Sequence, residues 1–122
     1  MLTPFGKEAR KQRIDRDMTL GQMAEKLKKS PTFLTAIETG RKPVPPELIE
    51  QIAQILELNE PEVTRLRQAA ELSRPSYKIS VPVNTPAGGR EVAALFAKSF
   101  VKLTHEDFER LRKILSQEKD EV

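Results

Sequence analysis

The chain has 122 residues, of which 38% are hydrophobic and 32% charged, with no cysteine and a net charge of +3. That length allows one domain plus an extension, and the composition is that of a folded soluble protein. Disulfides, thiolate catalysis and cysteine-ligated zinc are excluded; no apolar run nears the ~18 residues of a membrane span and the N-terminus has no signal-peptide apolar region, so a cytoplasmic location is expected.

The charge is uneven. Residues 1–44 hold ten Lys/Arg against five Asp/Glu, and the remainder holds eleven against thirteen. A basic first third beside an acidic remainder suits a nucleic-acid footprint, although a solvated helix face has the same composition.

Residues 3–17 are expected to form the first helix. Thr3 can cap it, Pro4 suits the first helical position, and Phe5, Ala9 and Ile14 mark its buried side, with Arg10, Lys11, Arg13 and Arg16 on the rest. Residues 19–40, TLGQMAEKLKKSPTFLTAIETG, then read as two short helices joined by a tight turn. Thr19 caps the first of them and Gln22 can return the hydrogen bond, while Leu20, Met23, Ala24 and Leu27 form one apolar stripe. Ser30 followed by Pro31 starts the second. Phe33, Leu34 and Ile37 supply its apolar face, and Gly40 closes it. Only Lys28 and Lys29 separate the two helices, which suits a steep crossing.

This stretch resembles the helix-turn-helix of phage lambda-type repressors, the XRE-like transcription regulators. The resemblance is carried by Ala24 where the helices touch, Leu27 before the turn, Ser30-Pro31, and the run Leu34, Ile37, Glu38 and Gly40 followed by Arg41 and Lys42; it covers roughly residues 3–72. It implies an all-α fold, with a five-helix DNA-binding domain over residues 1–73. It also implies that Arg13 pairs with Glu38 at the end of the recognition helix, more a positioning device than a stabiliser.

Two positions depart from the family. Lys28 stands where the family usually has glycine, and a left-handed lysine costs roughly 1 kcal/mol. Lys29 stands where an apolar residue normally packs under the turn. Phosphate contact by the two lysines and a differently shaped turn both remain open at this level.

In helix-turn-helix proteins the N-terminal part of the second helix enters the major groove of double-stranded DNA while its neighbours grip phosphates. The resemblance thus sets Pro31, Thr32, Phe33 and Thr35, with Ala36 close by, toward bases, and Gln22, Lys28, Lys29, Thr39, Arg41 and Lys42 toward phosphates. Phe33 suits either the groove or the core. With no arginine or glutamine among the base-facing positions, direct readout is modest, and specificity leans on groove shape and a second half-site.

Prolines make residues 41–46, RKPVPP, a rigid loop. The fourth helix begins near Pro46 or Glu47 and carries a broad apolar stripe of Leu48, Ile49, Ile52, Ala53, Ile55 and Leu56. Asn59 and Glu62 form a second capping-box pattern, and Val63, Leu66, Ala69, Ala70 and Leu72 carry the fifth helix to about Ser73.

Beyond it, Tyr77, Ile79, Val81 and Val83 alternate with polar or proline residues, which reads as a short edge strand or an extended linker within residues 74–89. A strand there needs a partner, and a second copy is the obvious one. Residues 85–89 form a hinge without the Gly-Lys-Ser/Thr ending of a phosphate loop. Residues 90–103 are expected as a helix burying Val92, Leu95, Phe96, Phe100 and Leu103. Thr104 and Asp107 start a last helix, reaching about residue 118, with Phe108, Leu111, Ile114 and Leu115 inward; residues 119–122 should fray.

Two such helices cannot make a core alone, so residues 75–118 are expected to dimerise, as the resembled regulators do on two-fold operators. The alternative is a DNA-binding antitoxin whose extension engages a toxin or peptidase. No catalytic residue, metal or cofactor is expected: His105 is the lone histidine and has no second histidine ligand nearby.

Overall fold

Helix starts are set by side chains that satisfy free amides. The computed structural model describes residues 1–117, and the chain divides into two units, the first being Met1–Tyr77. Thr3 accepts from the Gly6 amide and opens α1 (Pro4–Ile14). Thr19 and Gln22 exchange hydrogen bonds and open α2 (Leu20–Leu27). Ser30 accepts from the Phe33 amide at the head of α3 (Pro31–Glu38). Proline alone starts α4 (Pro46–Leu56), and Asn59 and Glu62 form the reciprocal cap of α5 (Glu60–Glu71).

The ends of α1, α2 and α4 share one device. Asp17, Lys28 and Glu57 each adopt positive φ, at 53°, 60° and 52°. In each case the following amide reaches back to a carbonyl five residues earlier: Met18 to Arg13, Lys29 to Ala24 and Leu58 to Ala53. This is the Schellman closure, normally supplied by glycine. Here L-residues carry it at roughly 1–2 kcal/mol apiece, offset by the packing of Met18 and Leu58 against the core. At Lys28 the turn therefore keeps the left-handed shape despite the lysine.

Those closures revise the first helix. It stops at Ile14 instead of residue 17, and Ile14 is exposed. The buried face is Phe5, Ala9, Gln12 and Arg13. Polar side chains occupy it because each has partners: Gln12 donates to Glu8, and Arg16 reaches Gln12, the Leu56 carbonyl and Glu62. Arg16 thus ties together the ends of three helices and is no mere surface charge. Leu72 is likewise exposed, since α5 ends at Glu71. Ser73 turns inward in its place and accepts the Phe5 amide at 2.8 Å. The remaining core joins Met23, Ala24 and Leu27 of α2, Leu34 and Ile37 of α3, Leu48, Ile49, Ile52 and Leu56 of α4, and Leu66 of α5. Ala53 and Ile55 are half-buried at its edge.

Glu62 accepts both the Asn59 amide and the Arg16 guanidinium, and these hold its carboxyl below the usual carboxylate value of 4.5. A lowered folded value stabilises the fold above the usual value and loses that contribution as pH falls through the folded one. Glu62→Gln should therefore lower the thermal midpoint at neutral pH and converge with the parent in strong acid; parallel midpoint curves across pH 2–7 would refute the assignment.

The second unit begins at Lys78. Two successive turns, closed by the Thr85 amide on Pro82 and the Gly89 amide on Pro86, deliver α6 (Gly89–Ser99). A 3-10 turn (Phe100–Lys102) follows, ending the α-helix short of residue 103. Thr104 and Asp107 cap α7 (His105–Gln117) reciprocally. The chain is thus all-helical, with no strand among the described residues. The alternation from Tyr77 to Val83 forms no ladder because nothing among the described residues pairs with it. Within this unit Val92, Leu95, Phe100, Ile114 and Leu115 are about half exposed or more and no residue of α6 or α7 is buried, so these apolar faces find no cover in the unit itself. The expected fraying at residues 119–122 lies outside the described residues.

Candidate nucleic-acid interface

The surface around the start of α3 is built from the turn outward. Pro31 has no amide hydrogen, the Phe33 amide is capped by the Ser30 hydroxyl and the Leu34 amide donates to the Ser30 carbonyl, so in the first turn of α3 the Thr32 amide is the one left to meet an anion. Pro31 and Thr32 are exposed and Thr35 is half-exposed, so a hydroxyl row one helical turn apart lies open. Phe33 is half-buried. Its ring packs against the core, and the ammonium groups of Lys29 and Lys42 sit 5.4 and 5.9 Å from its centroid. Such cation–π contacts hold two flexible lysines beside the hydroxyl row.

The remaining expected contacts divide. Lys28, Lys29, Arg41 and Lys42 are exposed. Gln22 spends its carbonyl oxygen on the Thr19 amide, which leaves its NH2 group free to donate. The Thr39 hydroxyl donates to the Thr35 carbonyl at 2.7 Å and keeps only acceptor capacity, a poor match to a phosphate. Ala36 is only 9% exposed. Its carbonyl accepts the Lys42 amide, so the loop after α3 folds over it and removes it from the outer surface.

The far end of α3 is pinned. Arg13 Nη2 lies 3.0 and 3.3 Å from the two carboxylate oxygens of Glu38, and both side chains are buried. Burial pushes the Glu38 carboxyl above its usual value, and the Arg13 charge only partly opposes this. Arg13 Nε is buried without a partner. The Glu38 carbonyl also accepts the Thr3 amide and hydroxyl, each at 3.0 Å.

Gly6 lies directly against the same carbonyl: a Cβ there would fall 2.2 Å from the Glu38 oxygen. Sequence reading passed over Gly6; the available signal was a glycine inside a helical pattern, which marks close backbone approach. Together these contacts fix where α3 stands on α1 and hence how its exposed N-terminal turn is presented.

His105 is exposed at the start of α7, and no group of metal-ligating side chains occurs among the described residues. No helix is long and apolar enough to cross a membrane among the described residues. Compared with known families, residues 4–66 match the model of a helix-turn-helix domain. No curated protein and no solved structure matches the chain.

Proposed function

We propose that this chain, which belongs to the helix-turn-helix domain family, is a sequence-specific DNA-binding transcriptional regulator of the cytoplasm, a repressor acting as a dimer on a palindromic operator. The observation that carries the reading is the pinned α3, whose open Thr32 and Thr35 row is bracketed by lysines held on Phe33. Pro31, Thr32, Thr35 and the outer edge of Phe33 face the bases, where threonine hydroxyls bond base edges and apolar atoms meet thymine methyls. Gln22, Lys28, Lys29, Arg41 and Lys42 meet phosphates; Thr39 and Ala36 have weaker claims, for the reasons of geometry above. Repression needs nothing beyond occupancy of a promoter, and no step of catalysis is assigned.

The dimer is placed in residues 75–118, with half-sites one helical turn or a multiple apart. The exposed apolar side chains of α6 and α7 support a second reading as well, a DNA-binding antitoxin whose extension covers them with a toxin or peptidase.

Selection from a random duplex pool, followed by binding across salt concentrations, tests the function. One enriched motif is expected. Lys42→Ala should weaken every sequence alike and lower the salt slope by about one. Thr32→Ala should instead relax preference at one base step, a discrimination of about 1–3 kcal/mol for a good contact. A pool without enrichment would refute sequence-specific binding.

A further inference from the structure

The cations of the first unit fall into two sets. Arg13, Arg16, Arg65, Arg67 and Arg74 each meet a carboxylate, at 2.7 to 3.9 Å. Lys7, Arg10 and Lys11 are exposed on the outer side of α1 and join no ion pair among the described residues, as is also true of Lys28, Lys29, Arg41 and Lys42 beside α3. Glu8, the acidic residue in their midst, turns away to Arg65 and Gln12. At spacings of three and four, the α1 cations share one face of the helix. They line one shallow hollow of about 370 Å3, with Asp15 the one carboxylate in its wall. Asp15 offsets one charge of three, so the face keeps a repulsion that an external polyanion would relieve.

We propose that Lys7, Arg10 and Lys11 bind phosphates of the DNA flanking the half-site, so that the footprint extends past the base pairs met by α3. The inference rests on the DNA-binding reading above and adds a backbone contact to it. Continuity with the recognition surface carries it. Gly6 and Arg13 are set against α3. Arg10 stands four residues after the one and three before the other, hence beside both on the surface of α1. Its charge is felt at the end of α3: burial raises the Glu38 carboxyl, and Arg13 and then Arg10 oppose the rise. At the head of α1, a Cβ on Gly40 would fall 2.7 Å from Thr3 Cγ2, so the loop carrying Arg41 and Lys42 departs from the same border.

A duplex held by α3 brings a line of phosphates past this border, whereas an acidic protein would have to meet the row on its own account. That continuity selects DNA. Phosphate contacts hold no base information, so the row adds affinity and salt dependence without adding sequence preference. It also needs duplex beyond the motif itself, which separates it from the contacts of Lys28, Lys29, Arg41 and Lys42.

Salt titrations of the full chain on two duplexes test the assignment, one ending at the edges of the selected motif and one with about one further helical turn on each side. The parent should bind the longer duplex more tightly and with the steeper salt dependence. Lys7→Gln combined with Lys11→Gln should lower the slope on the longer duplex by about two and weaken binding to it about tenfold or more. Arg10→Gln should lower that slope by about one. Neither variant should change the slope on the short duplex, whereas Lys42→Ala should lower it on both. Far-UV circular dichroism verifies that each variant keeps its helices. Equal parent slopes on the two duplexes, or variant losses of the same size on both, overturn the flanking contact while the DNA-binding reading stands. Variants that change neither duplex overturn it too, the result expected of a docking site for an acidic protein. A parent that selects no motif overturns the reading on which the row rests, and the row with it.

Discussion

Gly6→Ala is expected to lower the thermal midpoint by about 10–20 °C and to weaken DNA binding further than the lost stability accounts for. In an ordinary helix interior the substitution would help, since alanine is favoured over glycine by roughly 0.5–1 kcal/mol. Position 6 is not ordinary. The added Cβ would lie 2.2 Å from the oxygen, 2.9 Å from the carbon and 3.1 Å from the Cα of Glu38, all backbone atoms with no rotamer to escape into.

Relief requires α1 and α3 to separate, and separation strains the two Thr3 hydrogen bonds to the same carbonyl and the Arg13–Glu38 pair. Overpacking typically costs about 1–3 kcal/mol, and each neutral hydrogen bond adds about 1 kcal/mol. The penalty therefore exceeds the helix-propensity gain by about 2–4 kcal/mol, and 1 kcal/mol moves the midpoint of a domain this size by about 4–8 °C. Because relief tilts α3, affinity should fall even at temperatures where the variant remains folded. An unchanged or raised midpoint would mean that α1 and α3 have slack between them.

The features legible in the sequence are those that depend on neighbours along the chain. The Thr19–Gln22 and Asn59–Glu62 caps, the Ser30-Pro31 start and the Gly40 stop are each specified within a few residues, and each occurs in the structure. Where polarity was used as a proxy for burial, it misled: Ile14 and Leu72 lie outside while Gln12 and Ser73 turn inward, Gln12 held by Glu8 and Arg16 one turn to either side and Ser73 by the amide of Phe5, far along the chain.

Gly6, inside a helical pattern, signals a close approach but not its partner, a carbonyl 32 positions away. Ala36 was set near the bases by the resemblance, which contains no information about the loop that folds back over it here. In the extension, periodicity and the Thr104–Asp107 cap specify helices, but the destination of an apolar face is a property of whatever covers it. The alternation from Tyr77 to Val83 describes one strand, and a ladder needs two.

Glu38→Ala is the second large effect, because it leaves the Arg13 guanidinium buried with neither a carboxylate nor any partner at Nε. Removing one member of a buried pair costs about 3–5 kcal/mol, whereas replacing both by apolar groups of similar volume is often neutral or stabilising. The single variant should thus lose about 12 °C or more of midpoint, while Arg13→Met combined with Glu38→Leu should stay near the parent.

The pH dependence separates the pair's own energetics from its geometry. Burial raises the Glu38 value, so its contribution is fully present below the ordinary carboxylate value of 4.5 and is lost as pH rises through the raised folded value. Stability of the parent relative to the double variant should therefore grow on acidification through that window, opposite in sign to the Glu62 effect. A carboxylate that burial disfavours even beside its arginine contributes little net stability. Its place at the end of α3, joined to α1, is then what it contributes: orientation of the recognition surface. The double variant should accordingly melt like the parent yet bind DNA several-fold more weakly. Equal affinity in thermal and binding titrations would reduce the pair to a buried charge with no positioning role.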